Sequence, residues 1–323
     1  MKKTEPIFVH ARTTGGQLFE SYRDYWRMVE LWKYSTCELS EIDYTDPTKV
    51  YIWSSPIGKP EQVFQNEQAA SRKCKLVLFF LEWPKWEEGK LLHLDGLADP
   101  VDEIWVSDRY LYSLFQRFVP TQAHKCKFLV LGGHPDFGVK EPIQEVSSST
   151  TKTWDFCHLM YLTGVRGDKF YTIQQKGFRM APTTFVEAER DHTLRHSRWG
   201  LNLHQNSLAC LSPQRFMIFA SYRLPIITDY CVDPSPFIVF QDALIHWDPR
   251  KSSVMNDEIR TEAVEANYKM VTETHSFRAE VDFLVNRIAY PELNGSAVRG
   301  MGPFYTVPDA ERIAEIERRR SNA

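Results

Sequence analysis

The sequence predicts an α/β protein made of two Rossmann-like domains facing a central cleft. Three observations predict it. Short apolar runs alternate with helical patterns through the first half, a polar Ser/Thr tract interrupts the chain near its middle, and the alternation then resumes. A chain of 323 residues, 43% of them apolar, is long enough to bury a core in each of two domains.

The elements follow in order. Residues 7–10 read as a strand, followed by Thr13-Thr14-Gly15-Gly16 and a helix in which Tyr22, Tyr25, Trp26, Val29 and Trp32 recur at amphipathic spacing. Residues 50–53 give a second strand. Residues 75–81 give a third, apolar almost throughout, as suits a parallel strand covered on both faces. Residues 104–106 form a fourth, with Ser107 placed to cap a helix lined by Leu111, Leu114, Phe115 and Phe118. Residues 128–131 form a fifth, ending in Gly132-Gly133-His134-Pro135.

The tract Ser147-Ser148-Ser149-Thr150-Thr151 is turn-prone and marks a boundary. It divides the chain into an N-terminal domain over 1–146, a C-terminal domain over 153–290 and a tail over 291–323, whose charged helix at 310–320 is expected to cross back to the first domain. In the second domain 157–162, 199–203 and 225–228 read as strands. Helices are expected from about 258 to 288, where Phe277, Val281, Leu284, Val285 and Ile288 share a face.

Composition excludes some function classes. The formal net charge of −3 gives no global attraction to nucleic acid or to an anionic membrane. Cys37, Cys74, Cys126, Cys157, Cys210 and Cys231 are scattered, without a CxxC pair or zinc spacing. They read as small hydrophobes in a reduced, cytoplasmic protein. No apolar run approaches a membrane span, and no metal cluster stands out. The oligomeric state is not legible.

Four pieces of the second half stand in a recognisable order: Trp199-Gly-Leu-Asn202-Leu-His204, Ser212-Pro-Gln214-Arg215-Phe216, Phe219-Ala220-Ser221 and Pro225-Ile-Ile-Thr-Asp229. A strand ends in Asn and His, a loop with Ser and Arg opens a helix, and a short strand follows with Asp at its tip. Over roughly 154–288 this resembles the nucleotide-sugar-binding half of GT-B glycosyltransferases, especially the spore-maturation-protein type. Over 1–146 the likeness is architectural only. Gly164 and Arg166 fit that domain's opening strand and turn, and Glu273-Thr274-His275-Ser276-Phe277 fits a late family element.

The resemblance implies transfer of a sugar from a nucleotide diphosphate-sugar, most simply a UDP-sugar, to an acceptor hydroxyl. It implies retention at the anomeric carbon and no required metal or other cofactor. A diphosphate suits the N-terminus of the helix opened by Ser212, beside the fixed cation of Arg215. Arg166 and Lys169 are expected to reach the same phosphates from the turn after the domain's first strand. Asn202, His204, Gln214 and Asp229 complete the donor site. Gly15 and Gly16 would let backbone approach a ligand, and Glu82, at the end of the third strand, is the candidate acceptor base. His134 and Asp136 divide between a ligand role and turn chemistry. The chain departs from the family at Met217, where a ribose-binding Glu is usual, and at Tyr222, where a Gly stands near the helix end.

The acceptor stays open: a glycan, a small molecule, or a hydroxymethylated pyrimidine in DNA as in phage-type enzymes. A non-catalytic nucleotide-sugar-binding protein is the alternative from another class, and a nucleotide-dependent epimerase a third.

Overall fold

The computed structural model describes residues 4–10, 23–55, 70–80, 101–107, 120–140, 152–159, 162, 164–182, 187–204, 212–228, 244–246 and 261–289. Gly15, Gly16, Glu82 and Asp229 lie outside the described residues, as do the expected helices after Ser107 and at 310–320. The chain divides into two compact units. Among the described residues, one contains those up to Val130 together with 278–289, and the other contains 131–277.

The first unit carries a six-stranded, all-parallel sheet. Its strands are β1 (Glu5–His10), β2 (Ser35–Glu38), β3 (Lys49–Ser55), β4 (Lys75–Phe80), β5 (Glu103–Val106) and β6 (Cys126–Phe128), in the order β2-β1-β3-β4-β5-β6. The chain leaves β1 toward one edge and returns past it to β3, so the direction of winding reverses between these two strands. Such a reversal opens a crevice beyond the strand C-termini.

Helix α1 (Arg23–Leu31) covers one face of this sheet. It buries Tyr25, Trp26, Met28 and Val29, close to the spacing read from the sequence, while Trp32 lies just past its end. The Tyr25 ring meets Phe8 at 6.0 Å and Phe79 at 5.6 Å, and Phe79 meets Trp105 at 6.3 Å, all edge-on. These rings are almost wholly buried, each contributing about 1.5–3 kcal/mol relative to exposure.

The second unit carries a four-stranded parallel sheet in the order β10-β9-β8-β7. Its strands are β7 (Trp154–His158), β8 (Ser197–Asn202), β9 (Ile226–Thr228) and β10 (Leu244–His246). Around it run α2 (Gly164–Gln175), α3 (Glu187–Arg195), α4 (Pro213–Ser221) and α5 (Thr261–Lys269). A π-helical segment, Met270–Thr274, continues α5 and precedes α6 (Phe277–Ala289). Phe156, Phe170, Ile173, Trp199, Leu201 and Ile227 form its core. Both units are therefore α/β with parallel sheets, as expected.

Several elements differ from the sequence reading. Strand β2 was not expected, because Ser35-Thr36-Cys37-Glu38 is polar and half-exposed, as an edge strand allows. The run at 128–131 is buried, yet only its first residue belongs to β6. Leu129 still donates to Val106 O, but Gly133 donates to the Val271 carbonyl, so the ladder ends before the apolar run does. The strand expected at 157–162 begins earlier, at Trp154, where the backbone of Asp155 and Phe156 bonds to Arg179 O and Trp154 pairs with Ser197. The cysteines Cys74, Cys126 and Cys157 are buried and free, and burial pushes the Cys74 thiol up to about 11.

Asp102 locks β4 at its start. Its carboxylate accepts the Leu76 N–H at 2.9 Å, Lys75 Nζ at 3.0 Å and Arg72 Nη2 at 3.1 Å. Burial raises its pKa, but these hydrogen bonds and the two cations outweigh that, and the net shift is downward. A depressed carboxylate contributes stability above its unfolded pKa and loses it as pH falls through the folded value. Asp102→Asn should therefore lower stability to urea by about 1–3 kcal/mol at neutral pH. The gap from wild type should narrow below about pH 4; a gap that stays constant down to acid pH would refute the charge assignment.

Candidate functional site

The C-terminal end of β8 gathers most of the described candidate residues. Strand β8 lies between β7 and β9 and is buried from Trp199 onward, and Asn202 stands where its ladder stops. Asn202, 1% exposed, ends the strand, and its Nδ2 donates to Thr228 Oγ1 at 2.9 Å. The same nitrogen lies 3.4 Å from His204 Nε2. Asn202 Oδ1 is buried and has no hydrogen-bond partner among the described residues. Leaving such an acceptor dry costs about 1–3 kcal/mol, so it marks a place where a donor from a ligand or water is favoured.

The next carbonyl, that of Leu203, is where the two arginines meet. Arg166 Nε donates to it at 3.2 Å, and Arg215 Nη1 donates to it at 3.2 Å. A carbonyl oxygen has two lone pairs and accommodates both. The arginines reach it from different elements. Arg215 is the third residue of α4, after Ser212 at the cap, Pro213 at the first position and Gln214. Proline suits that position because its missing N–H would have no intrahelical acceptor there. Ser212 makes no side-chain cap bond.

Arg166 corrects the sequence reading. Arg166 and Lys169 do not sit in a turn; both belong to α2, which opens at Gly164 with φ 52°. Helical spacing puts them one turn apart on neighbouring positions of one face. The N-termini of α2 and α4 thus both lie toward the end of β8. Their first-turn N–H groups lack intrahelical acceptors by geometry, and their dipoles add positive potential. His158, which the sequence reading missed, ends β7, is 3% exposed and packs edge-on against Phe170 at 4.8 Å. Only its position at a strand C-terminus could have flagged it.

Other candidates are placed elsewhere. His134 Nδ1 accepts the Asp136 N–H at 2.8 Å, and Asp136 pairs with Lys140, so this pair does turn chemistry. His275 closes the π-helical segment, its N–H donating to Met270 O at 2.8 Å.

Met217 and Tyr222, singled out in the sequence, both sit in packed surroundings. Met217 is fully buried, and its Sδ lies beside Ser221 Oγ and the Gly133 backbone, a place that would desolvate a carboxylate. Tyr222 donates to Asp191 Oδ1 at 2.8 Å, and Asp191 also holds Arg195 at 2.8 Å. The left-handed residue after α4 is Arg223, with φ 50°, rather than a glycine. Its guanidinium pairs with Glu265 at 2.9 Å and covers the Tyr268 ring, which offsets the roughly 1–2 kcal/mol that a non-glycine spends there.

No family model matches this chain, and no curated protein matches it. Solved structures do align. A glycosyltransferase from Rickettsia africae is 8% identical, with 100% of each chain covered and a TM-score of 0.46. An alpha-glucosyltransferase in complex with UDP-glucose and DNA containing an abasic site is 12% identical, covering 98% of this chain and 100% of that one at a TM-score of 0.43. The pneumococcal O-GlcNAc transferase GtfA in complex with UDP and GlcNAc is 13% identical over 78% of this chain, at a TM-score of 0.40. This chain spans 55% of GtfA and 54% of the accessory secretory protein structure from Streptococcus pneumoniae that it also matches. Likenesses this distant carry no argument about activity.

Helix α4 is seated on β8 through Gly200. A Cβ there would come within 2.6–2.8 Å of the Phe219 ring. Gly200→Ala should therefore push α4 off the strand and destabilise the protein by about 1–3 kcal/mol. A thermal melt checks it; an unchanged Tm would mean the helix is not fixed at this contact.

Proposed function

We propose that the chain transfers a sugar from a nucleotide diphosphate-sugar to an acceptor hydroxyl, with the donor held at the end of β8. The observation that carries this reading is the convergence of Arg166 and Arg215 on the Leu203 carbonyl, between two helix N-termini. Guanidinium forks match phosphate oxygens, and a helix N-terminus favours an anion. In the reaction, the acceptor oxygen bonds to the anomeric carbon as the bond from that carbon to the diphosphate breaks. The diphosphate leaves with the electron pair, and fixed cations stabilise that charge.

In this reading Arg166 and Arg215 hold the diphosphate, with Lys169, Ser212 and Gln214 beside it. Asn202 and His204 face the sugar or nucleoside, and the Asn202 Oδ1 accepts a donor hydroxyl or N–H. Asp229 completes the donor side, while Gly15, Gly16 and Glu82 belong to the acceptor side. The segment 1–146 supplies the acceptor side and 153–290 the donor side. A UDP-sugar as donor, retention at the anomeric carbon and independence of a metal come from the resemblance over roughly 154–288. Product anomer assignment by NMR and assay in EDTA check the last two.

Calorimetric titration with UDP tests the donor site. Arg215→Ala should weaken binding about 10- to 100-fold, the loss of one charge-assisted contact, while circular dichroism stays that of the wild type. Arg166→Ala should act in the same direction. Unchanged affinity in both variants would refute the assignment. UDP binding without turnover of UDP-glucose would favour the non-catalytic alternative.

A further inference from the structure

At the opposite end of β8 from Asn202, two histidines lie about one helical turn apart. His192 belongs to the last turn of α3, and His196 follows that helix immediately before β8 opens at Ser197. Positions four apart share a helix face. The two rings stack, with centroids 4.0 Å apart and planes 28° apart. His192 is exposed and His196 is half-buried.

The backbone decides which nitrogen of His196 can bind a metal. Its Nδ1 lies 2.8 Å from the His192 carbonyl oxygen, which also accepts the His196 backbone N–H at 3.1 Å. A carbonyl only accepts, so Nδ1 carries the hydrogen there, and in the neutral ring the lone pair is on Nε2. A ring N–H given to a backbone carbonyl is how metal-ligating imidazoles are held, because it fixes both the tautomer and the ring plane. Two imidazoles bound tetrahedrally to zinc, at about 2.0–2.1 Å each, hold their nitrogens roughly 3.3 Å apart. Rings stacked at 4.0 Å reach that spacing with a small turn of the exposed His192 ring.

The helix end itself offers a cation little. The Arg195 carbonyl already accepts Lys152 Nζ at 2.7 Å, the His196 carbonyl accepts the N–H groups of Thr153 and Trp154, and the Thr193 carbonyl accepts Ser197 Oγ. Attraction for a metal therefore comes from imidazole lone pairs. These select a borderline first-row cation such as Zn2+ over Mg2+ and Ca2+, which take oxygen ligands. Among the described residues no third His, Cys, Asp or Glu joins the pair, so water completes the coordination.

We infer that His192 and His196 together chelate a divalent first-row transition cation, of the Zn2+ class, where α3 meets β8. Strand β8 separates this place from Asn202 by roughly 16 Å. The cation braces α3 at the start of the strand and does not meet the groups assigned to the donor. The inference is independent of the glycosyl-transfer reading.

Tag-free protein, stripped with EDTA and dialysed, is titrated with ZnCl2 by calorimetry in a buffer that does not bind zinc. A single equivalent should bind. His192→Gln and His196→Gln should each weaken it about tenfold or more, with circular dichroism unchanged, since glutamine keeps a polar side chain of good helix propensity. In 15N-histidine-labelled protein, zinc should move the ring resonances of His192 and His196, assigned by their loss in the two variants. Those of His124, exposed in the first unit, should stay in place. Zinc should raise the Tm of the wild type and not of either variant, and MgCl2 should do neither. Zinc that binds at several equivalents, or with an affinity that neither substitution alters, is an adventitious ion only and overturns the proposal. An unmoved His196 ring at saturating zinc overturns it as well.

Discussion

Two guanidinium groups share the carbonyl oxygen of Leu203, and the rest of the second unit is arranged so that this oxygen is available to them. Strand β8 must stop at Asn202, because a continuing ladder would occupy the carbonyl. Helix α4 must begin at Pro213 to aim Arg215 at it, and α2 must begin at Gly164 to aim Arg166. The close seat of Phe219 on Gly200 sets the distance between α4 and the strand. Each requirement is a packing or hydrogen-bonding condition on backbone, and together they concentrate positive charge at one sheet end.

The parallel sheets explain why chemistry is confined to strand ends in both units. Parallel strands covered on both faces are buried along their length, as Leu76, Val77, Leu78 and Phe79 of β4 are. Several polar side chains stand at the strand C-termini: Asn202 and His158 end strands of one sheet, and His10 ends a strand of the other. The first sheet winds in two directions and so has an internal crevice position. The second winds in one direction as far as it is described, and its polar groups gather instead against two helix N-termini.

The fold was largely legible because burial writes itself into sequence. The apolar run of β4, the aromatic spacing of α1 and the Ser212-Pro213 start of α4 each state their own structure. The failures share one cause: partners that are distant in sequence. Strand β2 has no apolar signal of its own and exists by pairing with β1. The run after Phe128 is as apolar as a strand, yet it leaves the ladder because Val271 offers Gly133 a different bond. Arg166 follows a glycine that resembles a turn, and the helix there is stabilised by burying Phe170 and Ile173 in the core.

By itself the sequence determined two parallel α/β units, the helix that begins at Ser212, and an arginine in that helix's first turn. These follow from local hydrophobic period and from cap chemistry, which act over a few residues. Only the tertiary structure decided that Arg166 and Arg215 meet at one carbonyl, that Met217 faces Gly133 and Ser221 in the core, and that His134 serves a turn. Each of those facts depends on strand order, register or helix seating, which are set by contacts between residues tens of positions apart.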